Sequence, residues 1–395
     1  MPRFNTPANP GHRVFNRWSR HHLLHLATAA IPDTRILAER DYFPILPDFY
    51  LWDIWPVQLD NGELAPVLGG SLWIMLSAAR RGDPEDRHDR SHMRLLWQHS
   101  DVWIDCGALL PDDLSPGSRE WSGSARLHPA TGAVTLWFTA AGRKNGAHSH
   151  FEQRLFQCGA TLDRSGPRPR LTNWTVPHES AVNDGRYYAV TGAEGEAALP
   201  LKGFRDPYWF RDPQDDQGYI LFTGSKPAHQ SRSSHSGVIG MARSDAADGC
   251  GTFTLLPPLI DAEGVTYEME RPHILAHDGH YYLFWSVQAG ACAPDIPSGP
   301  SGLYGMVAHT LTGPYTPLNG SGLVIANPPE RPRQAYAWQV LPSLEVVSFV
   351  DYPDWHSSRF PDDPEQRARL FAGTIAPVMR IAISGATTRL IEGGK

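Results

Sequence analysis

The chain has 395 residues, of which 41% are hydrophobic and 10% aromatic, and its 13 Trp add to the supply for a large buried core. Charged residues make up only 19%, with a formal net charge of -7 and a pI near 6.2. An acidic chain without a Lys/Arg block is a poor partner for nucleic acid or an anionic membrane surface; neutral small molecules suit it better.

In chain order, Met1 to Arg20 carries charge but no apolar stretch, and Leu23 to Ala30 is too short and His-rich to act as an export signal. Ordinary secretion is not expected, which leaves a cytoplasmic protein or export by another route. Residues 1–40 read as an N-terminal extension, helical around Ser19 to Ala30, packing on one catalytic domain that completes the 395 residues. Short β-like runs follow at Ser71 to Ala79, Met93 to Ile104, Ala133 to Ala140, Tyr219 to Thr223, Gly237 to Ala242, Tyr281 to Val287, Leu303 to His309 and Leu344 to Val350. Turns are expected at Pro129 to Gly132 and Ala276 to Gly279, a surface loop at Asp163 to Arg170, and a second short helix at Pro364 to Phe371. The 36 Gly and 35 Pro are spread throughout, so no linker divides the chain. This is an all-β pattern, and periodicity alone leaves sandwich, barrel and propeller open. No stretch is long enough to span a bilayer. Cys106, Cys158, Cys250 and Cys292 show no metal-ligand spacing and imply no disulfide framework.

Three acidic motifs stand out. Trp52-Asp53-Ile54-Trp55-Pro56 reads as a strand end whose Asp enters a cleft; a turn-forming Asp beside buried Trp residues is the plainer alternative. In Phe204-Arg205-Asp206-Pro207 a cation precedes a carboxylate, and on a regular strand the two point apart. Arg211-Asp212-Pro213 repeats the tripeptide beside polar Gln214-Asp215-Asp216, as a surface loop would. In Glu268-Met269-Glu270-Arg271-Pro272-His273, carboxylates two apart share a strand face, and their repulsion keeps one of them protonated. Acetal cleavage needs that supply: one ionised carboxylate for a cationic sugar carbon and one protonated carboxyl for the leaving oxygen.

Together with Glu120-Trp121-Ser122-Gly123-Ser124-Ala125 and Gln334-Ala335-Tyr336, these segments resemble glycoside hydrolase family 68, the levansucrases, inulosucrases and β-fructofuranosidases, roughly from Asp41 to Tyr352. The resemblance implies a five-bladed β-propeller with an axial active-site pocket, acting on sucrose and sugar acceptors without a cofactor. It implies Asp53 as nucleophile, Glu270 as general acid/base and Asp206 as transition-state stabiliser. Trp52, Trp121, Ser122 and Arg205 would line the fructosyl subsite, Glu268 would support the glucosyl side, and Tyr336 would bond near the carboxylates.

Two departures bear on the expectations. Tyr267 and Pro200 stand where calcium-binding relatives want Asp, so no metal is expected. Gln288, eighteen residues after Glu270, stands where polymer-forming relatives carry Arg or His toward the acceptor, which puts long levan in doubt. Fructosyl transfer is placed ahead of plain hydrolysis. A glycosidase for arabinosyl or β-fructan chains, and a non-catalytic sugar-binding propeller, are the competing readings. The 18 His show no zinc spacing; His99, His128 and His273 read as structural, and oligomeric state is left open.

Overall fold

The computed structural model describes residues 16–27, 31–146, 151–192, 201–296, 299–357 and 359–391. Five antiparallel blades surround a common axis, and the chain enters each blade along its innermost strand. Those inner strands are Phe49–Gln58, Arg119–His128, Phe204–Arg211, Glu270–His277 and Ala335–Val340. Blades 1 and 2 are joined into one continuous sheet by a short parallel pairing of Val57 and Gln58 with Ala125 and Arg126. The fold is a five-bladed β-propeller.

Second strands lie between layers of side chains from both neighbouring blades, which is why Gly218–Ser225 and Tyr281–Val287 are buried on both faces. Blade-to-blade packing is largely aromatic: Trp137 of blade 2 stacks on Trp209 of blade 3 with centroids 5.4 Å apart. Ten of the 13 Trp are buried in the core, as the composition suggested.

Most expected strands appear within one or two residues of their predicted ends. Met93 to Ile104 is the exception: it forms two strands, His92–His99 and Val102–Ala108, turning at Ser100, whose φ is +54°. The Asp278-Gly279 turn closes a two-residue hairpin with φ of +47° and +72°, a geometry that favours Asp-Gly. Asp163 to Arg170 is an inter-strand loop, and Pro364–Leu370 is helical.

The N-terminal helix is shorter than Ser19 to Ala30, covering Arg20–Leu24 before a 3-10 turn at His25–Ala27; Thr28 to Ala30 lie outside the described residues. This arm lies across blades 3 and 4. The buried Trp18 indole donates to Ser321 O at 2.9 Å, and its backbone N–H donates to Asp261 O. Gln334, quoted above for its place in a motif, holds the same arm by accepting from Leu37 N and donating to Thr34 Oγ1.

One backbone device repeats in all five inner strands. The register with the second strand breaks at Asp53, Ser122, Asp206-Pro207, Arg271-Pro272 and Ala337-Trp338. These are β-bulges, which bend a strand and re-aim its side chains. Asp53, Asp206, Arg271 and Ala337 take positive φ there, between +45° and +61°. Such conformations cost on the order of 1 kcal/mol each and persist only where the surroundings enforce them. The second bulge instead uses Gly123, where an added Cβ would stand 1.9 Å from Trp137 O.

Candidate active site

The bulges account for most of the candidate residues. Each one and the residue before it form a pair turned toward the axis: Trp52-Asp53, Trp121-Ser122, Arg205-Asp206, Glu270-Arg271 and Tyr336-Ala337. Eight of these ten positions are sequence candidates; Arg271 and Ala337 are the additions.

Arg205 is the hub. Its Nη2 lies 2.7 Å from both Glu268 Oε2 and Glu270 Oε1, and its Nε lies 3.7 Å from Asp206 Oδ2. The expectation that Arg205 and Asp206 point apart fails because Asp206 sits at the bulge with φ +61°. The two glutamates also reach Arg205 by a different route from the one predicted. The inner strand begins at Glu270, so Glu268 lies on the segment leading into it rather than on a shared strand face.

Three further hydrogen bonds orient the carboxylates. Ser122 Oγ donates to Asp53 Oδ2 at 2.5 Å, Tyr336 Oη to Glu270 Oε2 at 2.5 Å, and Thr223 Oγ1 to Asp206 Oδ2 at 2.9 Å. Burial raises the pKa of Asp53, while the nearby Arg271 guanidinium and the Ser122 bond favour its ionised form. Burial pushes Asp206 up to about 6, with Arg205 opposing and Glu270 and Asp53 adding to the rise. Burial, and then the charge of Glu270, push Glu268 well above the usual carboxylate range. Two carboxyls crowded on one guanidinium thus favour retaining a proton between them.

Trp52 is buried, and its ring meets His88 edge-on at 5.9 Å. Trp121 donates from its indole to His88 O at 3.1 Å. The 3-10 turn Pro84–Asp89 presents this His88, anchored by Arg87 to Glu85 at 2.5 Å and by Tyr352 Oη to Glu85 at 2.9 Å. Burial and the Arg87 charge lower the His88 pKa to about 3, so a neutral imidazole meets the Trp52 indole. Glu120 lies beneath the site, accepting from Met93 N and contacting His92 Nδ1 at 3.0 Å.

Gln288 directly follows the blade 4 strand His280–Val287. Glu270 pairs with Ser286, so Gln288 lies at the strand end beside Glu268. Tyr267 packs against the His235 ring at 5.9 Å, while Pro200 lies outside the described residues. The second Arg-Asp-Pro copy leads into the expected surface loop, exposed from Pro213 to Asp216, although Asp212 itself is buried and accepts from Tyr281 Oη of blade 4. His273 is fully buried and accepts from Val340 N at 2.9 Å, as a structural histidine should.

Sequence reasoning missed Arg271 as a site residue even though it lies inside a quoted motif. Its guanidinium donates to Ile54 O at 2.6 Å and Ala337 O at 3.1 Å, tying blade 4 to blades 1 and 5. Thr139 and Thr223 left no signal, since Thr in a strand is an ordinary β-former.

A propeller with acidic side chains gathered on its axis around one arginine defines a carbohydrate-active site of the two-carboxylate type. The Levansucrase/Invertase family model matches residues 8–236 and 226–393, and the chain belongs to that family. A levansucrase of Pseudomonas syringae pv. actinidiae is 31% identical over 409 aligned residues, covering 93% of this chain and 89% of the relative. A Zymomonas mobilis levansucrase is also 31% identical, over 87% of this chain and 83% of its own. The inulosucrase of Halalkalicoccus jeotgali, solved with kestose, superposes with a TM-score of 0.86 at 31% identity, covering 95% of each chain.

Proposed function

We propose that the chain is a sucrose-cleaving, retaining fructosyl enzyme that passes the fructosyl group to a sugar acceptor or to water. The observation that carries this reading is the Arg205 hub, which gathers Asp206, Glu268 and Glu270 on one guanidinium at the axis. In this reading Asp53 attacks the anomeric carbon of the fructosyl unit, and Glu270 gives its proton to the bridging oxygen as glucose departs. Glu270 then takes a proton from the acceptor hydroxyl, which attacks the covalent intermediate and frees Asp53. Asp206 and Arg205 hold fructosyl hydroxyls; Trp52, Trp121 and Ser122 close the fructosyl subsite, and Tyr336 orients Glu270. Glu268 and Gln288 lie toward the leaving glucose and the incoming acceptor.

The levansucrase and inulosucrase relatives support sucrose as donor. Incubation with concentrated sucrose tests the proposal. Release of glucose supports cleavage, and glucose in excess of free fructose supports transfer. Equal amounts throughout would leave only the hydrolytic branch, and intact sucrose would sink the proposal.

A further inference from the structure

A bulge frees a backbone N–H from its ladder, and a buried N–H needs another acceptor. In three blades that acceptor is a hydroxyl from the second strand of the preceding blade. Asp206 N donates to Thr139 Oγ1 at 2.9 Å, Arg271 N to Thr223 Oγ1 at 3.2 Å, and Trp338 N to Ser286 Oγ at 3.1 Å. All three hydroxyl residues are fully buried. Their places correspond: Thr139 pairs with Trp121, Thr223 with Arg205 and Ser286 with Glu270, each opposite the residue before its own blade's bulge.

We propose that Thr223 is a positioning residue for Asp206, acting with Thr139 and Ser286 in a relay of hydroxyls that sets the height at which successive blades present their axial groups. The inference rests on the fructosyl reading and deepens it. Thr223 receives the Arg271 amide and directs its single proton to Asp206 Oδ2 at 2.9 Å or to Met269 O at 3.1 Å. It thereby joins the blade 3 carboxylate to the blade 4 bulge beside Glu270. Thr139 grips the same aspartate from the other side, accepting from its amide and donating to Ser122 O at 3.1 Å. Ser122 in turn holds Asp53, while the Arg271 guanidinium reaches Ile54 O and Ala337 O. Hydroxyls and one guanidinium thus link the axial positions of all five blades.

The test compares Thr223→Val, which keeps the shape but removes donor and acceptor, with Thr223→Ser, which restores both. Thr223→Val should lower kcat on sucrose by about tenfold or more with KM within about twofold, because the lost bond supports a charge that matters most in the transition state. The acid limb of its pH profile should move upward, since a donor to the ionised carboxylate is gone. Thr223→Ser should recover kcat to within about threefold of wild type. Thr139→Val, assayed alongside, should show the same kcat-weighted loss if Thr223→Val fails to fold. A wild-type kcat and acid limb in the folded valine variants, or a serine variant as impaired as the valine one, would overturn the proposal. Carboxyl-carbon NMR titration of Asp206 gives a readout independent of turnover: an upward shift in Thr223→Val supports the relay, and an unmoved titration refutes it. Intact sucrose with the wild-type chain would instead count against the fructosyl reading.

Discussion

Tyr336 Oη donates to Glu270 Oε2 at 2.5 Å, reaching from the inner strand of blade 5 to that of blade 4. The same carboxylate uses its other oxygen to accept from Arg205 of blade 3 at 2.7 Å. Glu270 is therefore held by neighbours on both sides, and its orientation depends on how three blades meet.

Replacing Tyr336 with Phe keeps the ring, which packs edge-on against Trp338 at 5.7 Å, and removes only the donor. Hydrogen bonds to charged groups contribute roughly 1.5–3 kcal/mol, so kcat/KM on sucrose is expected to fall by about 10- to 100-fold. Steady-state kinetics on the folded variant checks this, and an unchanged kcat/KM would remove Tyr336 from the site.

Asp53→Asn and Glu270→Gln each delete a chemical role while preserving shape. Glu270→Gln should lower kcat by about 10²- to 10⁴-fold, the usual contribution of general acid–base catalysis, and Asp53→Asn by at least as much. Circular dichroism should show both variants folded. Near-normal turnover in either one would refute the role given to that residue.

Asp206 supports the fructosyl group with charge, so its proton must leave before the site works. Its value of about 6 predicts that kcat/KM falls as pH drops through that range. A profile flat from neutrality to well below pH 5 would show that the ionised form is not required.

Asp351 is 6% exposed, its Oδ1 has no hydrogen-bond partner among the described residues, and burial pushes its pKa up to about 7. The folded chain therefore prefers the protonated form. The resulting stability is present below pH 4 and is lost as pH rises through about 7. Asp351→Asn should stabilise the protein above pH 7, on the order of 1 kcal/mol, with the difference vanishing toward acid pH. Melting temperatures at pH 5 and pH 8 decide it; a lower Tm for the variant at pH 8 would contradict the argument.

Much of this site was legible because the reactive residues come in short motifs whose composition carries chemical meaning. Asp53, Arg205, Asp206 and Glu270 were visible for that reason, and strand and turn signals marked most blades. The bulges were not legible. No glycine marks the positive φ at Asp53, Asp206, Arg271 or Ala337, and the five bulge residues span four side-chain types. Regular strand alternation therefore gave the wrong relation between Arg205 and Asp206, and between Glu268 and Glu270. The supporting hydroxyls were hidden for another reason: Thr223, directly after Tyr219-Ile220-Leu221-Phe222, looks like filler in an apolar strand. Its contacts lie 17 and 48 residues away, with Asp206 Oδ2 and the Arg271 amide.

Because the reactive side chains hang from kinks in the innermost strands, the peripheral loops are released from holding the bond-breaking apparatus together. The short turn Ala289–Ala291 after Gln288 is the exception, since the buried Ala291 carbonyl accepts from Tyr267 N and Thr266 Oγ1 and so anchors the approach to Glu268. Exchanging that turn between homologues should therefore disturb sucrose consumption and acceptor choice together.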